Sequence, residues 1–474
     1  TGNQSGGSVN ATTGDFSSAV TASTSVVVGS AVTSNADGIV AAGIVTAGTC
    51  FKTGDGVFGA GIGATITGAG DAVFAGVCTA SSFDGDGSGL TGVASTDNIN
   101  TSTPASFVDI NATGIVTAAT FYPSVGWLGN RNVIINGGML VAQRATTSGD
   151  GGMTVMDRFS TISSNTDELA FDQKQTDSYP NGFSKCYEVD VTTAESALAA
   201  NELFYARYKV EAQDLRPFYN NDGTGKDFTL SFWVRAKQTG TYQVSIHKED
   251  NTVRFISTTY TYAVADAWQF VEWNVTGDTG TSGINADNGQ GFDISWKLAA
   301  GTDYTSGTPQ TTWGSFSNAI FAAGHAVDVG DSTANYFRIT GVQLELGSKA
   351  TPFEHRTYAD ELIRCQRYYF RFGGTQWSLV PGCMGIMAST TQVRATIQFP
   401  VTMRAVPASG GSGMYVDSET TASQDITAFD DTYLMNTGGQ LRMTTNTLSS
   451  GGGTVVNIGL DHATTAYFEC DAEL

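Results

Sequence analysis

Period-two alternation of apolar and polar side chains dominates the chain from about residue 126 onward. Phe228, Leu230, Phe232 and Val234 share one side of a predicted strand, and Thr229, Ser231, Trp233 and Arg235 share the other. Tyr242, Val244 and Ile246 alternate with Gln243, Ser245 and His247; Val271, Trp273 and Val275 alternate with Glu272 and Asn274; Phe292, Ile294, Trp296 and Leu298 alternate with Asp293, Ser295 and Lys297. The apolar side is core in each case, and Trp268, Trp273 and Trp296 are expected inside. Many short strands separated by Gly, Asn and Asp turns predict a β-sandwich of the jelly-roll kind. Its final strand runs Tyr336 to Leu346, and the parity slips at Gly341, where a bulge is expected. Thr357 to about Phe370 predicts a short helix with a Thr357/Asp360 capping box and Leu362, Ile363, Gln366, Tyr369 and Phe370 on its inner face. Arg364 and Arg367 complement its C-terminal end. From Gly373 alternation returns: Val393, Ala395, Ile397 and Phe399, then Ala466, Phe468, Cys470, Ala472 and Leu474. The predicted division is a repetitive segment 1–125, a sandwich 126–356, a helical connector 357–372 and a smaller β domain 373–474.

The first 125 residues read differently. They are rich in Gly, Ala, Ser, Thr and Val, with one basic residue, Lys52, against eight aspartates. A motif recurs: Gly43-Ile44-Val45-Thr46-Ala47 leading to Phe51, Gly76-Val77-Cys78-Thr79-Ala80 leading to Phe83, and Gly114-Ile115-Val116-Thr117-Ala118 leading to Phe121. Each copy is too small to enclose its own core, so stacked β layers must borrow walls from identical chains. A monomer could neither bury these rings nor protect its strand edges.

Composition narrows the function. The chain has 474 residues, a net charge of -21, 57 Gly and only 9 Pro. That acidity argues against nucleic acid, whose phosphates demand clustered Lys and Arg, and against anionic lipid. No apolar run approaches the roughly 20 residues of a membrane helix. The six cysteines, Cys50, Cys78, Cys186, Cys365, Cys383 and Cys470, form no CxxC pair and are too sparse for a disulfide scaffold. Without an initiator Met or a signal peptide, the sequence is expected to be part of a longer chain. Asp84, Asp86, Ser88 and Gly89 match the start of a calcium loop, but Ser95 stands where the closing Glu belongs, so a Gly-rich turn is expected and no metal. Gly59-Ala60-Gly61-Ile62-Gly63-Ala64 fits a relaxed dinucleotide fingerprint, but Thr65-Ile66-Thr67-Gly68 after it opens no helix, and no cofactor is expected.

Two stretches carry a resemblance. Phe83-Asp84-Gly85-Asp86-Gly87-Ser88-Gly89-Leu90-Thr91-Gly92 follows the second repeat as it does in bacteriophage tail fibres. More specific is a set over Asn130–Tyr369: Asn130-Arg131-Asn132, Asn136-Gly137-Gly138-Met139, Gln143-Arg144, the Gln343-Leu344-Glu345 strand with its Thr351-Pro352-Phe353-Glu354-His355-Arg356 extension, and Arg364-Cys365-Gln366-Arg367-Tyr368-Tyr369. The set resembles phage tail-fibre and related virion proteins whose domain looks like a jelly-roll carbohydrate-binding module. The resemblance implies a virion subunit assembled in the bacterial host cytoplasm, joined to other tail proteins at its N-terminal end, with a host-surface polysaccharide as partner. It favours threefold symmetry. The expected fold is therefore all-β: a repetitive trimeric β shaft, a jelly-roll sandwich and a smaller C-terminal β domain. The shaft is expected to be a parallel homotrimer with Phe51, Phe83 and Phe121 facing the axis or an interchain layer.

The family has no fixed site motif, so binding residues come from this sequence alone. Sugar recognition asks for solvent-facing aromatic planes backed by polar side chains. Trp233 points away from its strand's apolar side, and Arg235, Gln243 and His247 share outward faces. Trp377, Tyr415 and Tyr433 are candidates in the C-terminal domain. No catalytic residues are expected: only His247, His325, His355 and His462 occur, and HExxH, GxSxG and Cys–His signatures are absent. The rival readings are a polysaccharide-degrading spike, which needs two carboxylates flanking a sugar bond, and a purely structural head or neck fibre.

Overall fold

β-Branched and aromatic side chains at alternate positions build strands wherever one face can be buried. In this computed structural model the described residues are six short strands between 32 and 74, then 130–474 apart from 150, 281, 374–377, 419–420, 448–451 and 461–465. Residues 1–115 and 116–474 form two units. In the first, β1 (Val32–Asn35) pairs with β2 (Gly38–Ala41), β3 (Phe51–Thr53) with β4 (Gly56–Phe58), and β5 (Ala64–Ile66) with β6 (Ala72–Phe74), all antiparallel. Phe51 opens β3; its side chain, Phe83, Phe121 and the loop Asp84–Thr91 lie outside the described residues.

The second unit begins with two facing antiparallel sheets. Their strands are β7 (Thr147–Gly149), β8 (Phe159–Ser164), β9 (Ala170–Thr176), β10 (Cys186–Thr193), β11 (Leu203–Glu211), β12 (Phe228–Ala236), β13 (Gly240–Lys248), β14 (Arg254–Tyr262), β15 (Gln269–Val275), β16 (Gln290–Ala300) and β17 (Tyr336–Leu346). One sheet is ordered β15-β12-β17-β10-β9-β7, the other β14-β13-β16-β11-β8. Phe228, Leu230, Phe232 and Val234 face Phe292, Ile294, Trp296 and Leu298 in one core, with Phe232 edge-on to Trp296 at 5.7 Å. Trp273 and Trp296 are buried as expected, whereas Trp268 is half-buried.

The expected bulge is present. Ser231 pairs with Gln343 but Trp233 pairs with Thr340, and Gly341 has φ +63°, a left-handed conformation that favours glycine.

The helix spans Tyr358–Gln366, and Thr357 Oγ1 caps it by accepting from the Asp360 amide at 3.2 Å. It is shorter than expected, because Tyr369 and Phe370 already belong to β18 (Tyr369–Gly373). Its inner face also differs. Ile363 is exposed, while Glu361 and Cys365 are buried. A carboxylate can be buried there because the Asn136 amide donates to it at 2.7 Å and Arg356 pairs with it at 3.2 Å.

The remaining strands are β19 (Ser378–Ser389), β20 (Gln392–Gln398), β21 (Ala408–Ser412), β22 (Met414–Ser418), β23 (Thr421–Met435), β24 (Gly438–Thr445), β25 (Val455–Leu460) and β26 (Tyr467–Asp471). Six of them close a barrel, β19-β20-β24-β23-β22-β25, which removes its free edges. Val393, Ala395, Ile397 and Phe399 point into its core together with Met443, Val456 and Ile458. A three-stranded sheet, β18-β26-β21, stands beside it.

The end of the chain returns to the sandwich. Arg158 pairs with Glu473 and donates to the Lys209 carbonyl at 2.7 Å, and Arg404 donates to the Ala472 and Glu473 carbonyls at 2.7 Å each. Glu211, at the end of β11, accepts from the Tyr368 hydroxyl at 2.6 Å and pairs with Arg367 at 2.6 Å.

Candidate functional site

The outer face of the six-stranded sheet carries a row of aromatic rings. Alternation along β12 turns Trp233 and Arg235 outward, and cross-strand pairing sets Phe270 of β15 beside Trp233. Their rings lie 5.3 Å apart. On the other side of Trp233, the missing side chain of Gly341 leaves room for two rings at once. A Cβ there would stand 2.6 Å from Phe183 Cζ and 3.0 Å from Trp233 Cδ1. Phe183 continues the row to Phe353 at 5.0 Å and His355 at 5.3 Å. Phe270 is 42% exposed, His355 is exposed, and Trp233, Phe183 and Phe353 are half-buried, so the row is open to solvent along its length. At its far end Phe183, Phe353, His355, Arg356 and Glu361 line a cavity of about 230 Å³.

Polar groups run beside the rings. Arg235 stands opposite Arg338, and Arg338 opposite Glu188. Arg338 pairs with Glu188, and both guanidinium groups donate to Ser178 Oγ, Arg235 at 3.0 Å and Arg338 at 3.3 Å.

The five-stranded sheet offers the opposite surface. Gln243 keeps its outward parity but is fully buried, which corrects the expectation that it faces solvent. The segment 301–327 covers it: Gln243 Nε2 donates to the Ala323 carbonyl at 3.1 Å, and its amide donates to His325 Nδ1 at 3.3 Å. His247 is likewise largely covered, stacked on Phe316 at 4.5 Å and paired with Glu249 at 2.9 Å. Lys297 lies fully buried against the Phe321 ring at 3.4 Å, with Ser245 Oγ at 3.0 Å and Ser295 Oγ at 2.5 Å. Burial pushes its amine well below the usual lysine range. Next to this covered area is a polar hollow of about 500 Å³ containing Arg207, Lys209, Glu249, Asp250, Asp287 and Asp293. Burial pushes the Asp293 carboxyl up to about 6, opposed by the nearby Arg207, while the hydrogen bond from His247 holds Glu249 below the usual range.

In the C-terminal domain, Tyr415 is buried, its ring pressed against Gly459, so it presents no plane to solvent. Tyr433 is 49% exposed, and the Arg442 guanidinium stacks on it at 3.7 Å. Trp377 lies outside the described residues. Cys186 and Cys365 are buried free thiols, Cys470 is buried as well, and burial raises the Cys186 thiol to about 11. Among the described residues no three His, Cys, Asp or Glu side chains are grouped to hold a metal ion.

No family model and no curated protein sequence matches the chain. Solved structures similar to it include the enzymatically active domain of tailspike protein 4 of bacteriophage CBA120, at 15% identity over 46% of this chain and 22% of that one, TM-score 0.26. This chain thus spans about a fifth of that tailspike structure. Two others are carbohydrate-binding modules. One is the CBM22-2 xylan-binding domain of Paenibacillus barcinonensis Xyn10C, at 13% identity over 40% and 91%, TM-score 0.23. The other is the family 11 module of Clostridium thermocellum in complex with a mixed-linked β-1,3-1,4 tetrasaccharide, at 10% identity over 44% and 99%, TM-score 0.23.

Chemically, the two outer faces differ. The six-stranded face presents flat apolar rings flanked by hydrogen-bonding groups, the combination that the faces and hydroxyl edges of a pyranose require. The five-stranded face presents charges and little open aromatic surface. Trp233 and Arg235 thus share one surface, His247 and Gln243 lie on the opposite one, and Tyr433 belongs to the barrel. Sequence reasoning missed Phe270, Phe183, Phe353 and His355. Phe270 carried a signal, since its parity is opposite to that of Val271 and Trp273. The other three sit outside the strands, where no period marks them.

Proposed function

We propose that this protein is a virion tail-fibre subunit that adheres to host-surface glycan, and that the row Phe270–Trp233–Phe183–Phe353 is where the sandwich holds the sugar chain. The observation that carries the reading is that row: four aromatic side chains contiguous on one sheet face, Phe270 exposed and the other three half-buried. Contiguous exposed apolar surface on a folded domain marks a binding site. The repeats before residue 125 and the family resemblance support the fibre role and a parallel trimer. Three copies of a weak site on one fibre multiply avidity without new contacts.

The test is glycan-array binding of the whole chain beside Trp233→Ala. Removing one stacked ring face forfeits about half the burial energy of an aromatic side chain, about 1–1.5 kcal/mol, or roughly a tenfold weaker Kd. The melting temperature should hold, because the ring is half-buried on the outer face. Unchanged binding, or sedimentation of the chain as a folded monomer at micromolar concentration, would count against the proposal. The polar hollow favours a second reading, a polysaccharide-degrading spike, because Asp293 and Glu249 are pushed in opposite directions as an acid and a base require. Shortened saccharides appearing during the binding assay, and lost in Asp293→Asn, would establish it.

A further inference from the structure

We propose that the ring row takes an acidic saccharide, and that Arg235 is the residue that reads its carboxylate. The inference rests on the glycan-binding reading above and names the ligand class.

Spare positive charge is scarce in a chain of net charge -21. The cations around Arg235 are each matched: Arg338 by Glu188, Lys174 by Asp190 at 2.6 Å, and Lys237 by Asp266 at 2.8 Å. Asp266 also accepts from the Tyr336 hydroxyl at 2.6 Å. Among the described residues no carboxylate comes within 4.0 Å of the Arg235 guanidinium. Its contacts are hydroxyls, Ser178 Oγ at 3.0 Å and Tyr336. A hydroxyl satisfies an N–H but supplies no counter-charge, and the carboxylate that feels Arg235, Asp266, already serves Lys237 and the Tyr336 hydroxyl.

A second observation points to the same place. The ladder pairs Trp233 with Phe270 and Val234 with Gln269, and Trp268 is the residue just before that strand. Arg235 Nε and Trp268 Nε1 are both buried donors without a hydrogen-bond partner. An N–H withdrawn from water without an acceptor is costly; the Nε atoms of Arg207, Arg254 and Arg356 are left in the same way, but a carboxylate pairs with each of those guanidinium groups. Arg235 and Trp268 lack the same thing, an oxygen acceptor, and the Arg235 guanidinium asks that this oxygen be anionic. Guanidinium and carboxylate match as planar, two-point partners.

The spacing suits one sugar. Arg235 lies two residues beyond Trp233 on the same face of β12, about 7 Å along the strand. A sugar ring stacked on Trp233 would carry its carboxylate to Arg235. Uronic acids and sialic acids share this chemistry.

The experiment measures binding of the whole chain to alginate, to polysialic acid and to carboxyl-reduced alginate, each immobilised at neutral pH. The array of neutral glycans is run beside them. Wild type, Arg235→Gln, Arg235→Lys and Trp233→Ala are compared, with melting curves for each. Wild type should favour at least one acidic polymer over the reduced one by tenfold or more, and which acidic polymer it favours separates uronate from sialate. Arg235→Gln should lower binding of the acidic polymer to the level of the carboxyl-reduced one, with an unchanged melting temperature. Arg235→Lys should keep part of the preference, with steeper loss in salt. Arg235→Gln retaining the wild-type preference would overturn the proposal, as would a wild type that binds neutral glycans through Trp233 and ignores carboxylates. In the latter case the ring reading survives alone. A chain that binds none of the surfaces refutes both.

Discussion

Glu473→Ala should destabilise the protein far beyond the effect of breaking a surface ion pair. Arg158 is 1% exposed and lies between the rings of Tyr368, at 3.5 Å, and Tyr208, at 5.4 Å. Its compensating charge is Glu473, itself only 10% exposed, and this ion pair holds the guanidinium ionised, with its pKa above the ordinary arginine value. Without that carboxylate the guanidinium retains the Lys209 carbonyl and the ring faces but no counter-charge. Breaking a buried pair from one side costs about 3–5 kcal/mol. The reference is Asp177→Ala, which breaks the Lys185–Asp177 pair with side chains 36% and 78% exposed; exposed pairs contribute about 0–1 kcal/mol. The double variant Arg158→Met/Glu473→Leu should recover most of the loss, since apolar replacements of buried pairs are often neutral. Urea unfolding followed by the fluorescence of buried Trp273 and Trp296 gives all three values. If Glu473→Ala cost no more than Asp177→Ala, the tail would not tie the barrel to the sandwich, and the two would be independently stable.

Three further outcomes follow from the same structure. Burial raises the fully enclosed Asp157 carboxyl to about 6, partly offset by the Gln143 hydrogen bond; its contribution is intact below about pH 4, where both states are protonated, and is lost as pH rises to about 6. The loss is on the order of 2–3 kcal/mol, and Asp157→Asn should remove it from the urea-midpoint profile, whereas a variant with the wild-type slope would contradict the assignment. His325 works in the opposite direction: burial lowers it to about 4, so its contribution holds above pH 6.5 and is lost as pH falls towards 4. Gly341→Ala forces a Cβ into a residue at φ +63° and against Phe183 and Trp233. It should cost about 1–2 kcal/mol and displace both rings, weakening glycan binding; a variant that melts lower but binds as before would separate the bulge from the site.

Local pattern made much of the sandwich legible. The alternation in β12, β13 and β16 placed the core rings, the parity slip marked Gly341, and Thr357 marked the helix start, because each depends only on neighbours along the chain. What depended on distant chain was not legible. Gln243 and Ser245 look outward by parity, yet a segment some 80 residues later folds over them, and that segment has no periodicity to announce where it goes. Tyr415 looked like an available plane, yet strand pairing presses it against Gly459. The barrel closes through β19 pairing with β25, a register between Ser378 and Leu460 that no local feature specifies. The ring row depended on both kinds of information: Trp233 was found by parity, whereas Phe183 and Phe353 reach it from loops.

The contrast between the two outer faces is itself evidence about where binding occurs. Both sheets turn an outward face away from the shared core, and a sheet face can be left polar and solvated at little cost. On the five-stranded sheet, Phe316 and Phe321 come down from the 301–327 segment and bury its outward residues, so the aromatic surface there is consumed within the fold. On the six-stranded sheet nothing among the described residues covers Trp233 and Phe270, and Gly341, by having no side chain, lets Phe183 approach and lengthen the open row instead of interrupting it. Exposed rings contribute least to folding when left in water, and a left-handed glycine in mid-strand weakens the ladder that holds them. Both features oppose stability, and both act at one place. That coincidence is what a face shaped for a flat ligand requires, and it is why the proposed site lies on the sheet that the fold leaves uncovered.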